Sequence, residues 1–240
     1  MNNIAANIPE FQSDLPPTLW DWELMREKDK NMFIRCSFEE LTYEIAQKYW
    51  ITKNPHGKAL DICTGIGASA IAMTAAGLSD VTAIDIDPTA LVRAQDSANA
   101  LGMRNIKFIR GNMLNLPIAD KSIEFLTALN CLYLTNWRGL VRAASEIDRV
   151  TQLGAQIVVH LVSAQTPAFQ KAKNNRKDMI DDHTVLGQSA WGINDRPEPL
   201  CYTTEAELND LFKNFDTKIT HVPSASGHSL GYIVLGEKTK

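Results

Sequence analysis

From residue 57 onward, strand-like and helix-like segments alternate along the chain, and this alternation restricts the possible folds more than any other feature. Parallel strands need long crossover connections, usually helices, so the pattern is typical of a parallel sheet covered on both faces. "TKITHV" and "GYIVLG" predict a final strand pair, which gives a seven-stranded, mostly parallel α/β sheet with a terminal antiparallel strand. The other predicted strands are 58–63, 80–86, 106–111, 123–130 and 156–162, and the helices between them are 68–77, 88–101 and 138–150.

The chain is predicted to divide into an N-terminal arm with a helical cap, residues 1–56, and one larger domain, residues 57–240. Within the cap, "TLWDWELMREKDKNMF" and "SFEELTYEIAQKYW" place apolar residues at helical spacing. Residues 163–203 interrupt the alternation with a long segment of weak periodicity. Because such a segment in a compact domain is usually a functional cover, we expect it on the substrate side of the site.

The composition is typical of an ordinary soluble globular protein, with 45% hydrophobic residues, 22% charged residues and a net charge of -4. The negative charge disfavours nucleic acid as a partner. The four cysteines, Cys36, Cys63, Cys131 and Cys201, form no C-x-x-C pair, so neither a metal site nor a disulfide framework is indicated. With neither a signal peptide nor a membrane-length apolar run, the sequence predicts a cytoplasmic protein without a membrane partner.

The turn "GIGASA" after the first predicted strand fits two kinds of cofactor. It satisfies the G-x-G-x-x-A fingerprint for a nicotinamide dinucleotide, and Asp85 stands where an acid would bind the ribose. However, Asp61 precedes Gly65 by four residues, and its carboxylate would repel a diphosphate. The same carboxylate would favour a ligand with an ammonium or sulfonium group, and S-adenosylmethionine carries both.

An ordered series of segments resembles the motifs of class I S-adenosylmethionine-dependent methyltransferases, which have a Rossmann-like fold. The series is "LDICTGIGASA", "AIDIDP", "FIRGNMLNLPIADKSIEFLTALNCLYL" and "ASEIDRVTQLGAQIVV", over roughly residues 58–162. The resemblance implies S-adenosylmethionine as cofactor and a methyltransferase activity. It also implies cofactor-binding roles for a set of strand-end residues: Asp61, Gly65 and Gly67 around the methionine portion, Asp85 on the ribose hydroxyls, Ile86, Asn112 and Met113 at the adenine, and Asn130 beside them.

Simpler structural roles remain open for several of these residues. Asp61 and Asp85 would also serve as caps of the turns that follow them, and Asn112 would serve as a turn residue. Where the family usually has an aspartate that accepts a hydrogen bond from the adenine amino group, this chain has Asn112, whose amide oxygen accepts the same bond without charge assistance.

Three residues are candidates for a catalytic role. His160 and Tyr133 lie near the carboxyl ends of the fifth and fourth predicted strands, where ligands of open α/β sheets bind, and His160 would accept a proton from a hydroxyl or amine substrate. His183, in the insertion, is the alternative base. Either histidine would also fit a purely structural role, His160 as a buried residue and His183 as a surface one.

Aromatic side chains in the cap and insertion are the candidates for holding a substrate. Trp20, Tyr43, Trp191 and Tyr202 would wall a pocket over the methyl donor, although Tyr43 would equally pack between helices. Methyltransferases of nucleic-acid bases or glutamine typically carry Asn-Pro-Pro-Tyr after the fourth strand. The corresponding "NCLY" of this chain matches only the Asn and the Tyr and lacks both prolines. A small metabolite, methylated at nitrogen or oxygen, is therefore the predicted substrate.

Two other functions stay open. The G-x-G-x-x-A match supports an NAD(P)-dependent reductase, which Asp61 opposes. The departure at Asn112 and the uncertain base fit a non-catalytic S-adenosylmethionine-binding protein. The oligomeric state is unknown at this stage.

Overall fold

The computed structural model describes Lys48 and residues 57–176, 178–187, 198–223 and 230–240. Within these residues strands and helices alternate as the sequence predicts, although most element boundaries differ by one or two residues. The strands are β1 (Lys58–Ile62), β2 (Asp80–Asp85), β3 (Lys107–Arg110), β4 (Ile123–Ala128), β5 (Thr151–Ser163), β6 (Thr184–Gly187), β7 (Glu198–Thr203), β8 (Phe215–Pro223) and β9 (Leu230–Lys238). The helices are α1 (Ala68–Ala75), α2 (Pro88–Ala100), α3 (Trp137–Val150), α4 (Pro167–Asn175) and α5 (Glu205–Leu211).

Seven of these strands form the predicted sheet. The parallel strands lie in the order β3-β2-β1-β4-β5, and β9 pairs antiparallel with both β5 and β8. The order reverses direction between β1 and β4, which is where open α/β sheets bind their ligands, outside the carboxyl ends of the strands. The α/β prediction with a terminal antiparallel strand is therefore confirmed.

Two apolar cores cover the two faces of the sheet. Small and branched side chains of α1 pack with Ala59, Val81 and Phe125 on one face, together with Ala98 of α2. On the other face, α3 and α5 pack against strand residues that alternate with the first set, such as Leu60 and Leu126. This alternation is the period-2 burial expected of strands covered on both sides.

The insertion has more regular structure than its weak periodicity predicts. It contains α4 and the antiparallel hairpin of β6 and β7, and β7 continues the sheet by pairing in parallel with the end of β5. Thr204 rather than Thr203 opens α5, because its side chain and that of Glu207 form a reciprocal capping box. The weak periodicity did not indicate these elements, because short elements stabilised by pairing leave little periodicity in the sequence.

None of the helices in the described part of the chain is long and apolar enough to cross a membrane. The predicted N-terminal helical cap lies outside the described residues, Lys48 excepted.

Candidate functional site

A cavity of about 500 Å³ opens at the carboxyl ends of β1, β2, β3 and β4. Its described lining includes three carboxylates, Asp61, Asp85 and Asp87, and no lysine, arginine or histidine. Apolar side chains such as Ile86, Met113 and Leu134 form much of the remaining wall. A pocket of this charge favours a ligand that carries positive charge and an apolar ring over an anionic one.

Asp61 is the buried acid of this cavity, with 2% of its surface exposed. Thr64 Oγ1 donates to its Oδ2 and Thr127 Oγ1 donates to its Oδ1, each over 2.6 Å. Burial nevertheless raises the pKa of Asp61 to about 6, because the two hydroxyl hydrogen bonds only partly replace the lost water. A ligand cation beside Asp61 would restore the ionised form, so the site is electrostatically prepared for an ammonium or sulfonium group.

Asp85 ends β2 and orders the turn that follows β1. Its Oδ2 accepts a hydrogen bond from the Gly65 amide over 2.9 Å, and its Oδ1 accepts one from the Asp87 amide over 3.0 Å. Each carboxylate oxygen can accept a further hydrogen bond, so the side chain can still bind a pair of ligand hydroxyls. The sequence predicted the position of Asp85 but not this contact with the glycine turn.

The two glycines of the turn have different surroundings. Both have positive φ, 55° at Gly65 and 89° at Gly67, where a side chain is disfavoured. A Cβ added at Gly65, which lines the cavity, would meet nothing within 4 Å, whereas one at Gly67 would lie 3.0 Å from Cβ of Ala94 in α2. Gly65 thus leaves room in the cavity, and Gly67 allows α1 and α2 to pack closely.

Asn112 and Met113 line the cavity from the segment that follows β3, as predicted. Asn112 also makes the turn contact that the sequence left open, since its Oδ1 accepts a hydrogen bond from the Leu114 amide over 2.9 Å. Ile86, 60% exposed, and Asn130, with a left-handed φ of 58°, also line the cavity, whereas Gly67, predicted at the same site, does not.

A half-buried ion pair beyond this segment was not predicted from the sequence. Glu146 of α3 is 1% exposed and accepts a hydrogen bond from the Leu116 amide over 2.8 Å, while Arg149 pairs with it at 2.7 Å. Arg149 also donates to the carbonyl oxygens of Leu116 and Ile118. Hydrogen bonds from Arg149 lower the pKa of Glu146 and keep it ionised. The motif "ASEIDRV" contains both residues, but only the fold shows that they bind the backbone of Leu116 and Ile118, which follows the cavity-lining residues Asn112 and Met113.

His160 and Tyr133 lie outside the cavity lining, contrary to the position expected of catalytic residues. His160 is buried in β5 at an edge-on ring distance of 5.8 Å from Tyr133, and a Cβ at Gly231 would lie 2.7 Å from its Nε2. Burial lowers the pKa of His160 to about 4, so the ring is neutral near pH 7. The physical reason is that β5 continues to Ser163, so His160 lies inside the strand, in a run of buried residues from 157 to 161.

Neither His183 nor Tyr202 lines the cavity: His183 joins the insertion to the body of the domain, and Tyr202 packs within the insertion. The His183 ring stacks on Trp137 at 4.1 Å, and its Nε2 lies 2.8 Å from Glu207 Oε1. Tyr202 is buried in β7 and stacks on Phe169 of α4 at 4.5 Å. The other predicted substrate contacts, Trp20, Tyr43 and Trp191, lie outside the described residues.

The comparisons with known proteins agree with this site. A family model described as "Methyltransferase domain" matches residues 59–154, which include β1 to β4 and α3. The chain is 31% identical over 117 residues to a demethylmenaquinone methyltransferase of Staphylococcus aureus, covering 48% of this chain and 47% of that protein. The chain therefore spans about half the length of the curated relatives it matches.

Solved structures share the fold over most of the chain. A SAM-dependent methyltransferase from Methanosarcina mazei superposes with a TM-score of 0.66 at 20% identity, over 78% of this chain and 94% of that one. The 1,6-didemethyltoxoflavin-N1-methyltransferase of Burkholderia thailandensis, solved with its substrate and S-adenosylhomocysteine, gives a TM-score of 0.62 at 14% identity, over 96% and 94% of the two chains.

The matched residues are those that build the acidic cavity, so the sequence match and the geometry concern the same part of the molecule. Residues 59–154 match the methyltransferase domain model, and the chain shares the fold of solved S-adenosylmethionine-dependent methyltransferases.

Proposed function

We propose that the cavity binds S-adenosylmethionine and that the chain transfers its methyl group to a nitrogen or oxygen atom of a small metabolite. The observation that carries the proposal is the acidic lining, with Asp61 and Asp85 near the carboxyl ends of the adjacent strands β1 and β2. Asp61 would bind the cationic methionine portion, and Asp85 would accept hydrogen bonds from the ribose hydroxyls. Ile86, Met113 and Asn112 would contact the adenine.

Described residues of the cavity offer little for acid-base chemistry. When bound, S-adenosylmethionine supplies an electrophilic methyl group, and much of the rate can come from holding a nucleophile in line with it in a dry site. The apolar wall formed by Leu129 and Leu134 would exclude water from the acceptor side. Catalysis by positioning fits this arrangement better than catalysis by His160 or His183.

A nicotinamide-dependent reductase is disfavoured by the same lining. A pyrophosphate would lie in a cavity with three aspartates, and no basic side chain of the described lining would offset their charge. A cytoplasmic location and the absence of a nucleic-acid or membrane partner stay predictions from composition.

The first experiment is calorimetric titration with S-adenosylmethionine, S-adenosylhomocysteine and NADH in one buffer. Binding of the two sulfur nucleotides without a signal from NADH is the expected result, because only they place a cation beside Asp61. Binding of NADH alone would overturn the proposal and reinstate the dinucleotide interpretation of the glycine turn.

The second experiment separates an enzyme from a binding protein. The chain is incubated with S-adenosylmethionine and metabolites that carry amine or hydroxyl groups, with demethylmenaquinone included because the curated relatives are named for it. Formation of S-adenosylhomocysteine above the acceptor-free rate supports methyl transfer. Tight cofactor binding with no product from any acceptor would favour the non-catalytic alternative.

A further inference from the structure

Three sulfur atoms lie in one wall of the cavity. Cys63 follows β1 with a left-handed φ of 55°, Cys131 follows β4, and both line the cavity together with Met113. Cys63 Sγ lies 3.8 Å from Met113 Sδ, and Cys131 Sγ donates to the carbonyl oxygen of Ile62 over 3.5 Å. Both cysteines are free thiols.

The two cysteines lie close together, since Cys131 Sγ is 3.5 Å from the carbonyl oxygen of Ile62, the residue before Cys63. A hydrogen bond with the Cys63 thiol, followed by burial, raises the pKa of Cys131 well above its usual range, and the charges of Asp61 and Asp85 act in the same direction. Cys131 is therefore protonated at neutral pH and is 4% exposed. Cys63 is partly exposed, so it is the sulfur that an oxidant in the cavity meets first.

We propose that Cys63 and Cys131 form a redox-sensitive dithiol, and that its oxidation to a disulfide by a hydroperoxide lowers the affinity of the cavity for adenosyl ligands. The effect on ligand binding rests on the proposed function, whereas formation of the disulfide does not. The sequence places the two cysteines 68 positions apart, and only the parallel pairing of β1 with β4 brings them together.

The chemistry needs one equivalent of hydrogen peroxide. The Cys63 sulfur attacks a peroxide oxygen, the O–O bond breaks, and Cys63 becomes a sulfenic acid as one water leaves. The Cys131 sulfur then displaces the hydroxyl group from Cys63, which forms the S–S bond and releases a second water with the thiol proton. The two thiols lose two electrons and two protons in all, and the peroxide is reduced to two waters.

The disulfide would change the walls that the ligand must fit. It would join the turn after β1, two residues before Gly65, to the segment after β4 that carries Asn130. A covalent bond holds two sulfurs about 2 Å apart, closer than hydrogen-bonded thiols, so both wall segments must shift. Cys131 would also lose the proton that it donates to Ile62.

The test uses the full chain, treated with hydrogen peroxide and then mapped by alkylation and mass spectrometry. The expected product is a Cys63–Cys131 cross-linked peptide, with affinity for S-adenosylhomocysteine reduced at least tenfold and restored by dithiothreitol. Cys131→Ser should instead accumulate a sulfenic acid at Cys63, trapped by dimedone. Cys201→Ser is the matched control, because Cys201 is buried in β7 away from the cavity lining, and this variant should behave like the wild type.

Two results would overturn the proposal. One is oxidation of Cys63 without a cross-link to Cys131, including a disulfide formed through Cys36 or Cys201 instead. The other is a complete Cys63–Cys131 disulfide that leaves the affinity for S-adenosylhomocysteine unchanged. If the reduced protein binds no adenosyl ligand, the proposed function fails together with the effect on binding, whereas peptide mapping still decides whether the dithiol forms.

Discussion

The cavity at the ends of β1 to β4 and the insertion over residues 163–203 both contain residues predicted to act on a ligand. The two regions differ in what these side chains contact. In the cavity, Asp61 and Asp85 face the space where a ligand would bind. In the insertion, His183 and Tyr202 stack on Trp137 and Phe169 of neighbouring helices. A polar residue at the end of a parallel strand is thus positioned at a ligand site by the sheet itself. The position of a polar residue in an insertion depends instead on the surface against which the insertion packs.

The largest expected effect concerns the charge of Asp61 in the cavity. Since burial raises its pKa from 3.8 to about 6, the folded protein binds more protons than the unfolded chain between these values, and stability falls as pH rises through them. Asp61→Asn should therefore raise the free energy of unfolding by up to about 3 kcal/mol at pH 7.5 while weakening binding of S-adenosylmethionine. Denaturant titrations from pH 4 to 8 measure the first effect and calorimetry the second.

His160, in β5 and outside the cavity lining, is a control for which the pH dependence of stability has the opposite sign. Its pKa falls from 6.5 to about 4, so the unfolded chain binds more protons between these values and stability rises with pH there. His160→Asn should remove this rise and leave ligand affinity unchanged. Identical pH profiles for wild type and Asp61→Asn would contradict the burial argument for Asp61.

The second prediction compares ligand affinity after substitution of the aspartates at the two ends of β2. Asp85→Ala should weaken binding of S-adenosylhomocysteine by about 2 kcal/mol, because it removes hydrogen bonds to a charged acceptor and releases the Gly65 amide. Asp80, at the other end of the strand, pairs with Lys107 in an exposed salt bridge. Asp80→Ala is thus the matched control, and equal losses of affinity in the two variants would remove Asp85 from the site.

The third prediction is that alanine at the two glycines of the turn changes different quantities, ligand affinity at Gly65 and stability at Gly67. Alanine at either position has an unfavourable positive φ, which costs about 1 kcal/mol. Gly67→Ala should lose further stability because its Cβ approaches Ala94. Gly65→Ala should lose ligand affinity instead, since its Cβ would enter open space at the cavity. Thermal unfolding and calorimetry on both variants measure the contrast, which fails if Gly65→Ala binds S-adenosylhomocysteine like the wild type.

The smallest effect concerns the insertion. His183→Ala removes a partly exposed hydrogen bond with Glu207 and a ring stack on Trp137, so the free energy of unfolding should fall by about 1 kcal/mol. Affinity for S-adenosylhomocysteine should stay within a factor of two, because His183 does not line the cavity. A large loss of turnover with unchanged stability would instead return His183 to the catalytic candidates.

Much of the fold and several residues of the site could be predicted because they depend on patterns within single elements. Apolar periodicity reports burial within one element, and a parallel sheet brings the ends of its strands to one edge, so Asp61, Asp85 and Asn112 could be assigned to one site. The roles of Thr127 and Glu146 could not be predicted. Each depends on a partner from a distant part of the chain, Asp61 for Thr127 and the Leu116 amide for Glu146.

From the amino-acid sequence alone we could predict the α/β fold, the acidic end of the sheet and the family resemblance, because these follow from hydrophobic period and from motifs within a few residues. The tertiary structure was needed to show which side chains face the cavity. It shows that Cys63 and Cys131 line the same cavity and that His160 and His183 do not line it. The physical reason is that contacts between distant elements depend on register and packing, which no local pattern records.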